Sequence, residues 1–198
     1  MTQTITALFD RTADAKQAVS DLESAGIPHH DISLVANDVR GEHAAGEAAA
    51  DAGKGAGVGA AIGGAGGLLA GLGLLAIPGV GPVVAAGWLV ATAVGAIGGA
   101  AVGGAAGGLI GALVGAGASE DDAHVYAEGV RRGGALVSAK VADDMAPAAR
   151  AILQGPRTVD IPSRAAAYRS EGWTGFNAEA PVYTPEQVAA ERERFPVI

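Results

Sequence analysis

Leu74-Leu75-Ala76-Ile77-Pro78-Gly79-Val80-Gly81-Pro82 stands between two runs of regularly spaced glycine, and its reading decides what the middle of this chain is. Two prolines and two glycines so close together break a helix, because proline lacks a backbone donor and glycine leaves the backbone unrestrained. On the N-terminal side Gly55, Gly59, Gly63, Gly67 and Gly71 follow one another at four-residue steps. On the C-terminal side Gly95, Gly99, Gly103, Gly107, Gly111 and Gly115 do the same. At about 3.6 residues per turn, such steps put the glycines on one slowly drifting helical stripe, where a second backbone can approach closely. The expectation is a helical hairpin over 55–118, with arms 55–77 and 83–118 and a turn at Pro78, Gly79, Gly81 and Pro82.

Glycine costs about 1 kcal/mol relative to alanine in a helix interior, so such helices need a partner to close the groove or an apolar solvent. The first arm, 23 residues at about 1.5 Å each, would measure about 34 Å, enough for a hydrocarbon layer of roughly 30 Å. Val58, Ile62, Leu69 and Leu72 lie off the glycine stripe, so no face is polar. Two homo-oligomeric readings follow: a hairpin in or against a membrane, and a soluble assembly in which the hairpins bury each other.

Outward from this block the composition changes abruptly. The 198 residues carry 13 basic and 21 acidic side chains, a net charge of −8, yet none lies between Gly55 and Ser119. Of 32 glycines, 23 fall between Gly53 and Gly117. The acidic balance argues against nucleic acid as a partner, since phosphate binding needs a basic face. With no cysteine there is no disulfide, thiol chemistry or Cys-based zinc site. The opening residues read as a strand rather than a charged leader, so a cleaved signal is not expected.

The flanks read as two halves of a small domain. Thr4 to Phe9 alternates as a strand, Asp10 or Thr12 caps a helix with its stripe at Ala15, Ala18, Val19 and Leu22, and Gly26 ends it. Ile32 to Ala36 is a second strand, completing the first half, 1–40, and 41–54 is an acidic connector. In the second half, 119–162, Ser119 and Asp122 open a helix, Arg131 to Gly134 turns, and Ala135 to Val141 is a strand. Asp143 or Asp144 caps a further helix, and Thr158 to Ile161 is a final strand. Four strands with helices on one face predict an α+β domain, a ferredoxin-like split β-α-β interrupted by the hairpin. The tail, 163–198, has a helix near Arg164 to Arg169 and another opened by Thr184, Pro185 and Gln187. Trp173, Phe176 and Tyr183 are expected to anchor it.

Sites of chemistry are sparse. Gly53-Lys54-Gly55 lacks the rest of a phosphate loop, and His29, His30, His43 and His124 form no ligand spacing. No catalytic, metal-binding or cofactor-binding residue and no cofactor is assigned. Lys54, Arg131 and Arg132 are candidates for lipid headgroup contact, with a solvated turn ion-paired to Glu128 as the alternative for the arginines.

Ala7-Leu8-Phe9-Asp10, Ala25-Gly26-Ile27 and Ile32-Ser33-Leu34-Val35, followed later by Tyr126-Ala127-Glu128-Gly129-Val130-Arg131-Arg132-Gly133-Gly134-Ala135-Leu136-Val137, resemble the bacterial general stress protein family that includes heat-induced YflT-like proteins. About 80 residues are covered, split around the glycine block. Relatives of that kind carry a similar insertion with an Ile-Pro-Gly-Val-Gly-Pro turn, here Ile77 to Pro82, and a Gly-Trp tail, here Gly172-Trp173. The resemblance implies a stress-associated, non-enzymatic protein and supplies no catalytic residues.

Overall fold

The computed structural model describes residues 1–39, 73–77, 80–89, 92 and 106–195. Strand β1 (Thr2–Phe9) leads into helix α1 (Thr12–Ser24), and strand β2 (Ile32–Asn37) follows a short 3-10 turn at His29–Asp31. Two further strands come from the glycine-rich block, β3 (Gly73–Ile77) and β4 (Gly81–Ala86). Helix α2 (Ala106–Gly115) and helix α3 (Glu120–Arg131) precede strand β5 (Ala135–Ala142). Helices α4 (Ala146–Leu153), α5 (Ile161–Ser170) and α6 (Pro185–Arg194) complete the chain.

The strands form one antiparallel sheet in the order β1-β5-β2-β4-β3. Strand alternation sends Ile5, Ala7 and Phe9 to one face, where Ala15, Val19 and Leu22 of α1 and Ala149 and Leu153 of α4 bury them. Leu8, Val35, Leu136, Val83 and Ala85 face the other way, under Leu113 of α2 and Ala123, Ala127 and Val130 of α3. The result is a mixed α/β sandwich with helices on both sides of the sheet, not on one side as the sequence suggested. The second face is covered by α3, whose helix the sequence indicates, and by α2, which comes from within the block assigned to the hairpin.

Residues 73–77, expected to end one helical arm, and 81–86, expected to close the turn at Gly81 and Pro82 and begin the other arm, are strands. Strands β3 and β4 pair antiparallel from Gly73↔Ala85 to Ile77↔Gly81, and β4 pairs with β2 from Leu34↔Ala86 to Asn37↔Val83. The reason is tertiary: β2 is buried on every residue and its second edge would otherwise leave backbone donors and acceptors unpaired. Pro82 still accepts from Asp38 N–H at 2.9 Å, and the donor it lacks falls beyond Asn37↔Val83, the last pair of the β2–β4 ladder. Gly87 ends the strand at φ +95, and a Cβ there would lie 2.3 Å from the Ile32 carbonyl oxygen, so only glycine fits.

Smaller expectations also shift. The cap of α1 is Arg11, not Asp10 or Thr12, and that of α4 is Met145, not Asp143 or Asp144; neither makes a side-chain cap bond. The expected strand at Thr158 to Ile161 is reduced to one ladder bond, Val159 N–H to the Leu8 carbonyl at 2.8 Å. Asp160 then caps α5, accepting from Ser163 N–H at 3.0 Å, and the chain leaves the sheet. The Thr184 cap of α6 is reciprocated by Gln187, as the sequence pattern indicated.

Candidate functional site

Two features of the second helical face carry functional information: the outer surface of α2 and the seat of the C-terminal tail. In α2, Leu109, Ala112 and Leu113 turn inward and are buried. Gly111 and Gly115 turn outward; an ideal Cβ on either meets nothing within 4 Å among the described residues. Val114 between them is 43% exposed. Gly107 lies in the same helix. Gly55, Gly59, Gly63, Gly67, Gly71, Gly95, Gly99 and Gly103, with Lys54, Pro78 and Gly79, lie outside the described residues. Among the described residues no helix is long and apolar enough to cross a membrane.

The tail is held by a buried charge cluster at the C-terminal end of α3. Glu128 is fully buried and receives Arg132 Nε at 2.7 Å and Arg131 Nη1 at 3.0 Å. Arg132 in turn reaches into the tail, with Nη1 2.9 Å from Glu171 Oε2 and 3.1 Å from Glu191 Oε1. Its guanidinium carbon lies 4.0 Å from the Tyr168 ring centroid, and that of Arg131 lies 5.0 Å from the Tyr183 ring. Burial alone would lower the Arg132 pKa, but hydrogen bonds with Glu128, Glu171 and Glu191 reverse the sign and raise it. The Glu171 carboxyl, hydrogen-bonded by Arg194, is held below its ordinary range despite some desolvation. Burial raises the Tyr168 phenol, and it pushes Tyr126 up to about 12 with help from Asp122.

Glycine makes this approach possible. A Cβ on Gly133 would lie 2.2 Å from Val188 of α6, and Arg192 Nη2 donates to the Gly133 carbonyl at 3.0 Å. Trp173 packs edge-on to Tyr168 at 5.7 Å in a cluster with Val125 and Phe195. Phe176 joins the core beside α3, and its N–H donates to His124 Nδ1 at 3.1 Å. At the far end Arg164 makes a two-pronged pair with Asp10 at 2.7 and 2.8 Å, which ties α5 to the end of β1.

Arg131 and Arg132 therefore do not face a headgroup layer. Arg132 is 7% exposed, and its donors go to glutamates and to the tail. The pairing with Glu128 weighed for a solvated turn exists, but in a buried setting. Sequence reasoning missed Glu171, Glu191, Tyr168 and the Asp10–Arg164 pair. The available signals were Glu128 at helical spacing from both arginines and Gly133-Gly134, which mark a close approach. Among the described residues no group of three or more acidic, histidine or cysteine side chains is placed to hold a metal. No protein-family model matches the chain, and neither curated proteins nor solved structures supply a match.

Proposed function

We propose that this is a non-enzymatic protein that self-associates through its glycine-rich insertion, on a scaffold of ferredoxin-like derivation. The observation that carries this reading is α2: its apolar side is buried at home, while Gly111 and Gly115 present bare backbone outward. A glycine stripe that packs against nothing costs helix stability without return, and a second backbone laid along it recovers that cost through dispersion contacts. The scaffold reading is supported by β5 lying antiparallel between β1 and β2, with α1 crossing from one to the other. A stress-associated role rests on the resemblance of the flanking strings to the general stress protein family.

The strands change the balance between the two modes of assembly. With residues 73–77 in the sheet, the charge-free stretch on the N-terminal side is 55–72, and a helix over it would measure about 27 Å, short of a hydrocarbon layer of roughly 30 Å. Residues 83–86 and 106–115 are likewise committed to the domain. Burial of copies against one another is the reading favoured. Contact with a membrane surface is the second reading, and the unbroken absence of charge from Gly55 to Ser119 favours it. Native mass measurement of untreated protein, with and without detergent, tests both. A large detergent-independent assembly supports the first, a carbonate-resistant membrane pellet the second, and a monomer under all conditions refutes self-association.

A further inference from the structure

A cavity of about 610 Å3 lies at the open end of the second helical face, unconnected with the tail cluster. Its floor is the sheet, through Thr2 and Thr4 of β1 and Lys140 of β5. Its walls are Trp88 and the Ala112-to-Gly117 end of α2. That volume lies within the range of small-molecule sites, roughly 300–1,000 Å3.

Three observations define what it would hold. First, Lys140 is the only charged side chain lining it among the described residues. Its Nζ stands 3.8 Å from the Trp88 ring centroid and has no carboxylate partner among the described residues. Asp143, three residues on, is engaged by Gln3 and the Met1 ammonium. Second, the Trp88 ring is fixed, because its Nε1 donates to the Asp31 carbonyl at 3.1 Å while Gly87 locks the preceding backbone. Third, the end of α2 does not compete for the ammonium. Of its last four carbonyls, those on Ala112, Leu113 and Val114 already accept from Ala116, Ala118 and Gly117.

The cavity also has an entrance. Val159 bonds to Leu8 and the chain then turns away, so among the described residues no strand covers β1 at Thr2 and Thr4, whose backbone groups point outward by the alternation that directs Leu8 outward.

We propose that this cavity binds a small monocarboxylate with an apolar body. One ammonium and the Thr2 and Thr4 hydroxyls match a single carboxylate, whereas a phosphate dianion would bring a second charge that nothing lining the site neutralises. The indole of Trp88 and the methyls of Ala112 and Ala116 receive the hydrocarbon portion, and the missing side chains of Gly115 and Gly117 leave room for it.

The test uses the full chain carrying Trp173→Phe, so that Trp88 is the only indole, and follows its emission during titration with octanoate, octylamine, octanol and inorganic phosphate. Saturable binding of octanoate is expected, with octylamine, octanol and phosphate each at least tenfold weaker. Lys140→Met is expected to weaken octanoate at least tenfold, and Lys140→Glu to reverse the preference toward octylamine. Lys140 is exposed and Trp173 half-buried beside Tyr168, so the fold of every variant is checked by circular dichroism before titration. Equal responses to octanoate and octanol, an unchanged octanoate affinity in Lys140→Met, a preference for phosphate, or no saturable response to octanoate overturns the proposal. Self-association is read separately by native mass, so either inference can fail alone.

Discussion

Arg132 and Glu191, 59 positions apart, meet with Nη1 3.1 Å from Oε1, and both are more than nine-tenths buried. This pair joins the end of α3 to the last helix of the chain. Removing one member of a buried pair strands the other without compensation, at a cost of about 3–5 kcal/mol. Arg132→Ala is therefore expected to lower stability by about 3 kcal/mol and to release α5 and α6 to protease before the sheet unfolds. Urea denaturation and limited proteolysis read the two effects; an Arg132→Ala protein with wild-type midpoint and a protected tail contradicts the geometry.

The tail should loosen in acid. Glu171 is held below its ordinary value of 4.5 by Arg194, against some desolvation and with help from Arg132. The Asp160 and Glu186 carboxyls are lowered as well, by Ser163 and Thr184 respectively. A carboxylate depressed in the folded state contributes stability that is complete above its unfolded pKa and lost as pH falls through the folded one. Hydrogen-exchange protection across 161–194, corrected for the intrinsic pH dependence of exchange, should accordingly stay constant between pH 7 and 5 and fall only below about pH 4. A loss of protection already at pH 6 points to a different group.

Gly87→Ala separates the strand reading of the block from the helical one by sign. Within a helical arm the change should stabilise by about 1 kcal/mol. At φ +95, with the Ile32 carbonyl oxygen 2.3 Å from the new Cβ, it should instead destabilise by at least about 2 kcal/mol. The denaturation midpoint decides.

Gly111 gives the converse case. Its outward position meets nothing among the described residues, so Gly111→Leu should leave the monomer as stable as before or slightly more so. If the stripe is the association surface, the same change should weaken assembly at least tenfold, seen by sedimentation at several concentrations. Unchanged oligomers with Gly111→Leu and Gly103→Leu would falsify the zipper reading.

Local patterns were legible where a few neighbouring residues settle the outcome. The apolar stripe of α1, the left-handed Gly26, the Ser119 cap of α3 and the reciprocal Thr184–Gln187 cap of α6 all follow from contacts within one helix or its ends. Residues 73–86 read as helix only if the four-residue glycine spacing is extended past Gly71 into Leu74-Leu75-Ala76-Ile77 and back from Gly95 to Val83-Val84. Those aliphatic residues suit a strand or a helix equally, and only the unpaired edge of β2 chooses between them. The tail cluster was missed for a related reason: Glu171, Glu191 and Asp10 are ordinary surface carboxylates in sequence, and nothing local distinguishes them.

By itself the sequence determined that this chain is made of two materials, charged flanks built of alternating and helical segments around a block without charge. Composition and short-range spacing are enough for that, because hydrophobic burial and helix capping act over a few residues. Only the tertiary structure decided which part of the block joins the sheet, which face of α2 remains bare and which carboxylates surround Arg132. Those outcomes depend on unsatisfied backbone edges and buried charges finding partners tens of positions away, and the free energy of such pairing exists only once the chain has brought the partners together.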